Sequence, residues 1–271
     1  MLPAFVTGAP TVAVIRLAGL IAPPSGFRAA SLSLESMAGP IARAFAQRRL
    51  AGVARSINSP GGSPVQSSLI AGRIRALAEE KKLPVTTFVQ DVGASGAYWL
   101  ACAGDEIFCD ESSILGSIGV VSAGFGFGRA MARLGIERRL YTAGERKSLL
   151  DPFGPEREED VARLRAVQQE IHESFKAWVR ARRGQRLKVP EEELFTGEFW
   201  TGRRAVALGL ADGIGELRAT MRARHGEKVR FAVFGGVRRP WWARFVPGTD
   251  TLVAAAADTL AERAAYARYG L

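Results

Sequence analysis

Histidine is scarce in this chain, which has two among its 271 residues, His172 and His225. A Ser-His-Asp triad requires an imidazole beside the nucleophilic serine. His172 lies one position off the apolar stripe of a helix predicted over residues 155–183, so we expect a surface or boundary position for it. His225 lies in a polar stretch that is typical of a helix end. A hydrolytic serine in this chain must therefore use a base other than histidine.

Cysteine is equally rare. The two cysteines, Cys102 and Cys109, lie in apolar surroundings. They are predicted to be reduced core residues, and neither a disulfide nor metal ligands. No group of histidine, cysteine and acidic residues has the spacing of a metal site. The sequence therefore indicates that the protein works without a metal and without a cofactor.

Long apolar runs are missing near the N-terminus. The first 24 residues contain four prolines and Arg16. They lack the ~18 or more uninterrupted apolar residues that a membrane-spanning helix requires. We expect no transmembrane anchor and a cytoplasmic location, with peripheral contact at the inner face of the membrane as the further alternative.

Acidic residues are outnumbered, with 27 Asp and Glu against 37 Lys and Arg, which gives a net charge of +10. The basic residues are scattered along the chain, and no nucleic-acid recognition motif accompanies them. We therefore predict no nucleic-acid partner. Attraction to an anionic phospholipid surface explains the charge equally well.

The chain does contain a regular alternation of strand-like and helix-like segments. Five short apolar or β-branched segments alternate with helical stretches such as 65–81, and they cover residues 11–17, 51–57, 85–89, 106–109 and 138–141. Repeated strand–helix units predict an α/β fold with a mostly parallel sheet. The hydrophobic content of 47% is enough for a substantial core.

The last part of the chain has a different composition. Residues 231–236 are compatible with a strand, and residues 238–245 combine Trp241 and Trp242 with three arginines. Residues 250–269 have the pattern of an Ala-rich helix with an apolar stripe. We expect this helix to pack on the protein body or on a neighbouring subunit. For the basic-aromatic segment, docking on an anionic membrane surface is the alternative.

Ser95 stands in the run Asp-Val-Gly-Ala-Ser-Gly-Ala-Tyr-Trp, residues 91–99, between the predicted strand 85–89 and a helix-like stretch. A small-residue turn at such a place exposes the serine hydroxyl at a helix N-terminus, where backbone N–H groups can stabilise an oxyanion. This position suits a nucleophile. The alternative is a serine that caps the helix in an ordinary strand–helix turn.

Two further segments have features of a site. Residues 58–62, Asn-Ser-Pro-Gly-Gly, follow a predicted strand and precede a helix. Paired glycines there let the backbone approach a ligand with its N–H groups pointing outward, although read alone the segment is a turn. Residues 144–153 have the sequence Gly-Glu-Arg-Lys-Ser-Leu-Leu-Asp-Pro-Phe, in which Lys147 comes shortly before the apolar pair Leu149 and Leu150. A solvated loop lysine is the ordinary interpretation of such a residue.

Together these segments resemble the signal peptide peptidase A (protease IV) family of serine peptidases. The family patterns S-P-G-G, D-x-x-A-S-G-x-Y, G-S-I-G-V and G-x-x-K-S-x-x-D-P-F occur in this order, at residues 59–62, 91–98, 116–120 and 144–153. Two short runs between residues 199 and 215 are similar to the closing segment of the family's peptidase domain. The resemblance covers residues 11–217 and is specific, because five ordered motifs do not agree by chance.

The resemblance implies a serine endopeptidase with a Ser/Lys dyad, in which Ser95 is the nucleophile and Lys147 the general base. It implies an oxyanion hole from the backbone N–H of Gly62, helped by an N–H near Ser95, and a Ser117 hydroxyl that orients the lysine amine. The implied substrates are unfolded or membrane-derived peptides such as remnant signal peptides, and the implied assembly is a homo-oligomer. The implied fold is the Clp protease/crotonase-like superhelix of ββα units, here with a helical C-terminal extension.

On this basis we place the peptidase domain at residues 1–225 and the C-terminal extension at residues 226–271. Two positions depart from the family pattern. Gly93 stands where family members usually have alanine, and Ala97 stands where they usually have glycine. The Ala97 methyl lies on the helix side of the turn, where we expect it to be tolerated while it narrows the pocket beside the nucleophile.

A lysine acts as a base only when its amine is neutral. A free lysine titrates near ~10.4, and lowering this by roughly 3 units costs about 4 kcal/mol, which desolvation in an apolar site can supply. Leu149, Leu150 and Phe153 are candidates for that apolar site. The positive charge of Arg146 would further disfavour the charged form of the Lys147 amine. A nearby carboxylate would have the opposite effect, so we expect the Glu145 side chain to point away from the amine.

Interpretations from two other classes stay open at this stage. A crotonase-type acyl-CoA enzyme shares the fold and uses paired backbone N–H groups on a thioester carbonyl, so Ser95 and Lys147 would have no necessary role. A catalytically silent scaffold or lipid-surface binding homologue would keep the fold, and its Ser95 would not react with a serine-directed probe.

Overall fold

The computed structural model describes residues 8–24, 31–144, 146–235 and 262–271. The chain divides into two compact units. We call the first the sheet unit; it consists of Met1–Ile118 and Lys176–Leu271. We call the second the small unit; it consists of Gly119–Phe175.

Strands and helices alternate along the sheet unit. In chain order the strands are β1 (Thr11–Ala18), β2 (Leu50–Ser59), β3 (Val85–Ala94), β4 (Glu106–Cys109), β5 (Ile114–Gly116), β6 (Phe199–Thr201), β7 (Gly213–Ile214) and β8 (Arg230–Phe234). The helices are α1 (Leu34–Phe45), α2 (Pro64–Lys81), α3 (Gly96–Ala101), α4 (Gly128–Arg133), α5 (Glu158–Arg183), α6 (Glu191–Leu194), α7 (Gly202–Leu208) and α8 (Leu217–His225). Helix α4 belongs to the small unit, and α5 begins there and ends in the sheet unit.

The strands form one mixed sheet in the order β6-β5-β3-β2-β1-β8, and β4 pairs with β3 and β7. Every pairing is parallel except that of β5 with β6. Strand β3 is long and changes partners, because its residues 86–89 pair with β4 and its residues 92–94 pair with β5. The predicted α/β fold with a mostly parallel sheet is therefore confirmed.

The core lies on both faces of the central strands. In β1, Val12 and Val14 pack with Phe88 and with Met221 of α8 on one face of the sheet. The alternate residue Ile15 is fully buried and points to the other face, since successive side chains of a strand alternate. A strand that is buried on both faces reads as a nearly continuous apolar run, which explains why β1 was detectable in the sequence.

Four predicted elements are confirmed to within two residues at their ends. They are the strands over residues 11–17, 51–57 and 106–109 and the helix over residues 65–81. Strand β3 begins where predicted but continues beyond residue 89 to Ala94, and α5 begins at Glu158 where residue 155 was expected. The longer β3 matters for function because it carries the chain up to Ser95.

The strand predicted over residues 138–141 is wrong. Within the small unit this segment is not paired with a strand. Arg138 instead forms an ion pair with Asp151 at 2.8 Å, and its guanidinium carbon lies 4.8 Å from the centre of the Phe153 ring. The apolar pair Leu140 and Tyr141, which suggested a strand, is exposed in this unit. Two apolar residues without a neighbouring strand do not form a ladder.

Part of the predicted extension belongs to the sheet. Strand β8 pairs in parallel with β1, close to the position predicted for it. Residues 262–267 are helical, and we call residues 262–271 the C-terminal segment. The basic-aromatic segment 238–245 and most of the predicted Ala-rich helix lie outside the described residues. The domain boundary at residue 225 stays a prediction.

Both cysteines are free and buried. Burial raises the pKa of the Cys102 thiol to about 11 and that of the Cys109 thiol to about 12. Thiols with such pKa values are protonated and poorly nucleophilic near neutral pH. The prediction of reduced core cysteines is confirmed.

Helix α3 is short, and at its C-terminal end the carbonyls of Leu100 and Ala101 accept from the N–H groups of Ala103 at 2.9 Å and Gly104 at 3.1 Å in the turn that follows. Side chains from other elements donate to the end of this helix as well. The Arg55 guanidinium of β2 donates to the carbonyls of Leu100 at 2.6 Å and Ala101 at 3.0 Å. The Trp178 indole of α5 donates to the carbonyl of Trp99 at 3.0 Å. We call these contacts the α3 clamp.

Arg55 is the central residue of the α3 clamp. It is completely buried within the sheet unit, and it also bonds the Thr87 hydroxyl. Burial lowers the pKa of Arg55 to about 9, so the guanidinium remains charged near neutral pH. A positive charge at the C-terminal end of a helix interacts favourably with the helix dipole.

Replacing Arg55 with methionine should destabilise the protein strongly. Methionine fills similar space but cannot donate, so the carbonyls of Leu100 and Ala101 would each lose a charged donor and keep the backbone N–H groups of Ala103 and Gly104. Hydrogen bonds to charged groups contribute about 1.5–3 kcal/mol each, so we expect the free energy of unfolding to fall by roughly 2–5 kcal/mol in a urea titration. The matched control, Arg73→Met, changes an exposed arginine of α2 and should cost less than about 0.5 kcal/mol. If the free energy of unfolding fell equally in the two variants, the α3 clamp would not be what stabilises this part of the fold.

Candidate active site

Ser95 lies at a sharp turn between β3 and α3. Its backbone has φ 52° and ψ −126°, a conformation that residues other than glycine rarely adopt. In α/β-hydrolases such a strained strand-to-helix turn lifts the nucleophilic hydroxyl out of the sheet. Ser95 is half-buried, whereas Ala94 and Gly96 on either side of it are buried. The fold thus presents this one side chain and hides its neighbours.

The interpretation of Ser95 as a capping residue finds no support in its contacts. Ser95 occupies the N-cap position of α3, but its side chain makes no capping hydrogen bond. Its carbonyl oxygen accepts from the N–H groups of Tyr98 at 2.8 Å and Trp99 at 3.1 Å. The backbone therefore starts the helix, and the hydroxyl remains available for other chemistry.

Two neighbouring segments hold the Ser95 turn. The Ser95 N–H donates to the carbonyl of Gly116 at 2.8 Å, at the end of β5. Gly61, with φ 100°, packs so closely on the turn that a Cβ there would lie 2.7 Å from the Ala94 oxygen and 2.8 Å from the Ser95 Cβ. Only glycine fits at position 61 without moving the serine.

Gly62 is held against a different part of the chain. The Ile21 N–H donates to the Gly61 carbonyl at 2.9 Å, and the Ser63 N–H donates to the Ile21 carbonyl at 2.8 Å. Because Ile21 pairs with both neighbours of Gly62 in a parallel bridge, the N–H of Gly62 itself points to the opposite side of its backbone. Gly62 is exposed. Its amide is therefore open to a ligand.

The Gly62 backbone also contacts the Ser95 turn. A Cβ built on Gly96, the first residue of α3, would lie 3.3 Å from the Gly62 nitrogen. Since the Ser95 N–H is bonded to Gly116, the amide near the serine that can assist Gly62 is that of Gly96. Two backbone donors beside one serine hydroxyl make this a candidate oxyanion hole.

Ser117 follows β5 and lies next to the same turn. It has φ 52°, it is 8% exposed, and its N–H donates to the Glu198 carbonyl at 2.6 Å. Because Gly116 accepts the Ser95 N–H, the peptide that leads into Ser117 is tied directly to the candidate nucleophile. The structure thus brings Ser95, Gly62 and Ser117 together in the sheet unit.

Lys147 belongs to the small unit, where it is exposed. Phe153 stacks on Phe127, with 5.7 Å between ring centres, and Leu149 is also exposed. Within the small unit, these two residues therefore do not enclose the lysine in the apolar surroundings predicted from the sequence. Glu145 lies outside the described residues.

The two histidines are placed as predicted, at half-buried positions. His225 is the last residue of α8, and a Cβ on Gly52 would lie 3.7 Å from its Nε2. Gly52 is near the start of β2, whereas Ser95 follows the opposite end of the parallel strand β3. Burial and the nearby Arg224 lower the pKa of His225. His225 is therefore not the partner of Ser95.

Sequence reasoning missed one residue of this region. The hydroxyl of Tyr269, in the C-terminal segment, lies 3.4 Å from the Ser117 Oγ and 3.4 Å from the Pro60 carbonyl oxygen. Tyr269 follows the family motifs by more than fifty residues, so no local pattern pointed to it. The apolar stripe predicted in this part of the chain did indicate packing, but not against the site.

The described residues contain no group of three or more His, Cys, Asp and Glu side chains that could hold a metal ion. Among the helices in that same part of the chain, none is long and apolar enough to cross a membrane.

Comparison with known proteins places the site in a family. The model of Peptidase family S49 matches residues 77–230, a region that includes Ser95, Ser117 and Lys147. A putative protease of Methanocaldococcus jannaschii is 33% identical over 60% of this chain and 52% of its own length. The putative signal peptide peptidase SppA of Enterococcus faecium is 31% identical over 60% of this chain and 47% of its own length.

A protein of Brucella abortus named Na(+)/H(+) antiporter NhaA is 46% identical over 96% of this chain. The match covers 37% of that protein, so this chain spans little more than a third of the relative's length. The open, mostly parallel α/β sheet agrees with the Clp protease/crotonase-like fold of the peptidase family. With more than half of its residues matched by the family model and a strained serine turn inside the match, the chain belongs to Peptidase family S49.

Proposed function

We propose that this protein is a serine endopeptidase with a Ser/Lys dyad, which cleaves unfolded or membrane-derived peptides, such as remnant signal peptides, through an acyl-enzyme. Ser95 is the nucleophile and Lys147 the general base. The backbone N–H groups of Gly62 and Gly96 bind the oxyanion, and the Ser117 hydroxyl orients the lysine amine. Membership of the peptidase family supports the reaction class.

The first half of the reaction forms an ester. The neutral amine of Lys147 takes the proton of the Ser95 hydroxyl while Oγ attacks the carbonyl carbon of the scissile peptide bond. The negative charge that develops on the carbonyl oxygen is stabilised by the amides of Gly62 and Gly96. Lys147 then gives its proton to the departing amine, the C–N bond breaks, and an acyl group remains on Ser95.

The second half releases the product. A water molecule loses a proton to Lys147 and attacks the ester carbonyl, again with the oxyanion bound by the two amides. The bond to the Ser95 Oγ breaks, the oxygen recovers its proton from Lys147, and the second peptide leaves as a carboxylic acid. Lys147 thus acts as base and acid in alternation, and no proton is lost in the cycle.

The observation that carries this proposal is the strained, uncapped and accessible Ser95 beside the Gly62 amide. A left-handed backbone at a non-glycine residue costs on the order of 1–3 kcal/mol. A crotonase-type enzyme needs the paired amides but gains nothing from a strained serine, and a silent scaffold needs neither feature. The geometry therefore supports a nucleophilic serine best.

The antiporter name of the Brucella relative is not extended to this chain. The matched part is only 37% of that protein. What we propose for the partners of this chain is a peptide substrate, a homo-oligomer and peripheral contact with an anionic membrane surface through the basic-aromatic segment.

Ser95→Ala, Lys147→Ala and Lys147→Arg should each abolish hydrolysis of an unfolded protein or signal-peptide substrate, because residues that act as one unit fail together. Arginine fails because its guanidinium titrates above ~12 and cannot accept a proton near neutral pH. Cleavage is followed by mass spectrometry, which also maps the cut sites.

The matched controls are Ser68→Ala, an exposed serine on α2, and Lys228→Ala, an exposed lysine before β8. Both should retain wild-type turnover. A Lys147 variant that keeps more than about a tenth of wild-type kcat would show that another base operates, since general-base catalysis contributes ~10²-fold or more. Turnover of acyl-CoA thioesters by the Ser95→Ala variant would favour crotonase chemistry instead.

The oxyanion role of Gly62 requires a substitution that removes only its N–H. A Cβ at position 62 would lie 2.0 Å from the Ile21 oxygen, so alanine and proline would both displace the turn. Replacing the Gly61–Gly62 amide by an ester through semisynthesis removes the donor without adding a side chain. We expect kcat to fall by at least ~10²-fold.

The control for this experiment is the same ester one residue earlier, at the N–H of Gly61, which donates to the Ser59 hydroxyl at 3.2 Å. That change removes a hydrogen bond from the same turn but no oxyanion donor, so kcat should fall by less than about 10-fold. If the two esters reduce kcat equally, Gly62 has no special role.

A further inference from the structure

The C-terminal segment lies over the carboxyl ends of β2 and β3. The Tyr266 hydroxyl donates to the carbonyl of Asn58 at 2.9 Å, near the end of β2. The ring of Tyr269 packs on Val92 and Ala94 of β3 and meets the ring of Phe199 edge-on, with 5.1 Å between ring centres. Two aromatic side chains thus anchor the segment, and of the two it is Tyr269 that borders the candidate site.

The two tyrosines have different polar environments. Tyr266 is bonded to a strand carbonyl, and burial raises its pKa to about 12. The Tyr269 hydroxyl reaches further into the site, where it lies 3.4 Å from both the Pro60 carbonyl oxygen and the Ser117 Oγ. Both distances are long for hydrogen bonds between oxygen atoms. Tyr269 is only 8% exposed.

The donor and acceptor properties of these groups determine the direction of both bonds. A phenol has one proton to donate, and a carbonyl oxygen only accepts. The proton of Tyr269 therefore goes to the Pro60 carbonyl. Between the two hydroxyls, the Ser117 O–H must then donate to the phenolic oxygen of Tyr269.

We propose that Tyr269 is a positioning residue of the peptidase, which turns the Ser117 hydroxyl so that only its oxygen lone pairs face the catalytic amine. This inference rests on the proposed function, in which Ser117 orients Lys147. With its proton directed to Tyr269, Ser117 accepts an N–H of the amine. The lone pair of the amine then remains free for the Ser95 proton.

Without the phenol, the Ser117 hydroxyl can rotate and donate its proton to the neutral amine. This hydrogen bond blocks the lone pair that must accept the Ser95 proton, so the maximal rate falls. The same hydrogen bond exists only with the neutral amine and so favours that form over the charged one. The rate therefore reaches its plateau at a lower pH. The rising limb of the rate–pH profile should therefore move to lower pH while its plateau drops.

The test compares Tyr269→Phe with Tyr266→Phe. Each variant keeps its ring and loses one hydroxyl from the same segment, but only Tyr269 contacts Ser117. For Tyr269→Phe we expect kcat on a short peptide to fall about 5-fold, which corresponds to one neutral hydrogen bond, and the half-maximal rate to move to lower pH. For Tyr266→Phe we expect both quantities to stay at wild-type values.

Melting temperatures of both variants are measured alongside the rates, because a merely structural loss would lower stability without moving the rate–pH profile. The double variant Ser117→Ala with Tyr269→Phe should be no slower than Ser117→Ala alone, since the phenol acts through Ser117. A Tyr269→Phe protein with wild-type kcat and an unmoved profile overturns the positioning role, and so does an equal effect of both single variants.

The measurements separate the role of Tyr269 from that of the Ser/Lys dyad itself. If wild-type activity depends on Ser95 and Lys147 but not on the Tyr269 hydroxyl, the dyad stands and the positioning role is wrong. If the Ser95→Ala variant retains wild-type hydrolysis, the dyad itself is wrong, and the role of Tyr269 in it falls with it.

Discussion

The backbone conformation of Ser95 is the constraint on which the rest of the candidate site depends. A serine with φ 52° is strained, and such a residue persists only when its surroundings hold it from several directions. Here β5 accepts the serine N–H, Gly61 packs against the turn, and the α3 clamp holds the far end of the helix that follows. The Tyr98 hydroxyl adds a bond from α3 to the Leu210 carbonyl at 2.8 Å.

These supports connect distant parts of the sheet unit to one hydroxyl group. Among the described residues no carboxylate contacts the buried Arg55 guanidinium. Burying this charge would be costly if the guanidinium did not bond several carbonyl and hydroxyl oxygens at once. Its position in the middle of β2 places the charge below α3, so the sheet fixes the helix and the helix fixes the serine. The contacts that position Ser95 therefore begin in the core of the sheet unit, at Arg55, and reach the serine through α3.

The sequence predicts the parts of this arrangement that depend on local patterns. Strands β1, β2 and β4 were detectable because buried strands are continuously apolar, and the turns at Gly62 and Ser95 because they are rich in small residues. The extension of β3 to Ala94 was missed because Gln90 and Asp91 are polar and exposed, and interrupt the apolar run. The segment 138–141 shows the opposite error, since an apolar pair was mistaken for a strand.

Long-range contacts were beyond the reach of sequence patterns. The bond between Arg55 and Leu100 joins residues 45 positions apart, and the bond between Ser117 and Tyr269 joins residues 152 positions apart. An arginine inside an apolar strand was a detectable signal, because a buried charge requires partners, but the pattern does not identify them. The roles of Ser95, Lys147, Gly62 and Ser117 stay predictions that the family resemblance motivates.

The interlocking of Gly61 with the Ser95 turn has a consequence for the order in which activity arises. Gly62, Ser95 and Gly116 come from the ends of three different strand–turn segments, and none of them has its functional geometry until the parallel pairings of β2, β3 and β5 are complete. Parallel pairings join residues far apart in the chain and form late in folding. A growing chain therefore gains the geometry around Ser95 only after these three strands have paired, and before that no backbone amides are held beside the Ser95 hydroxyl.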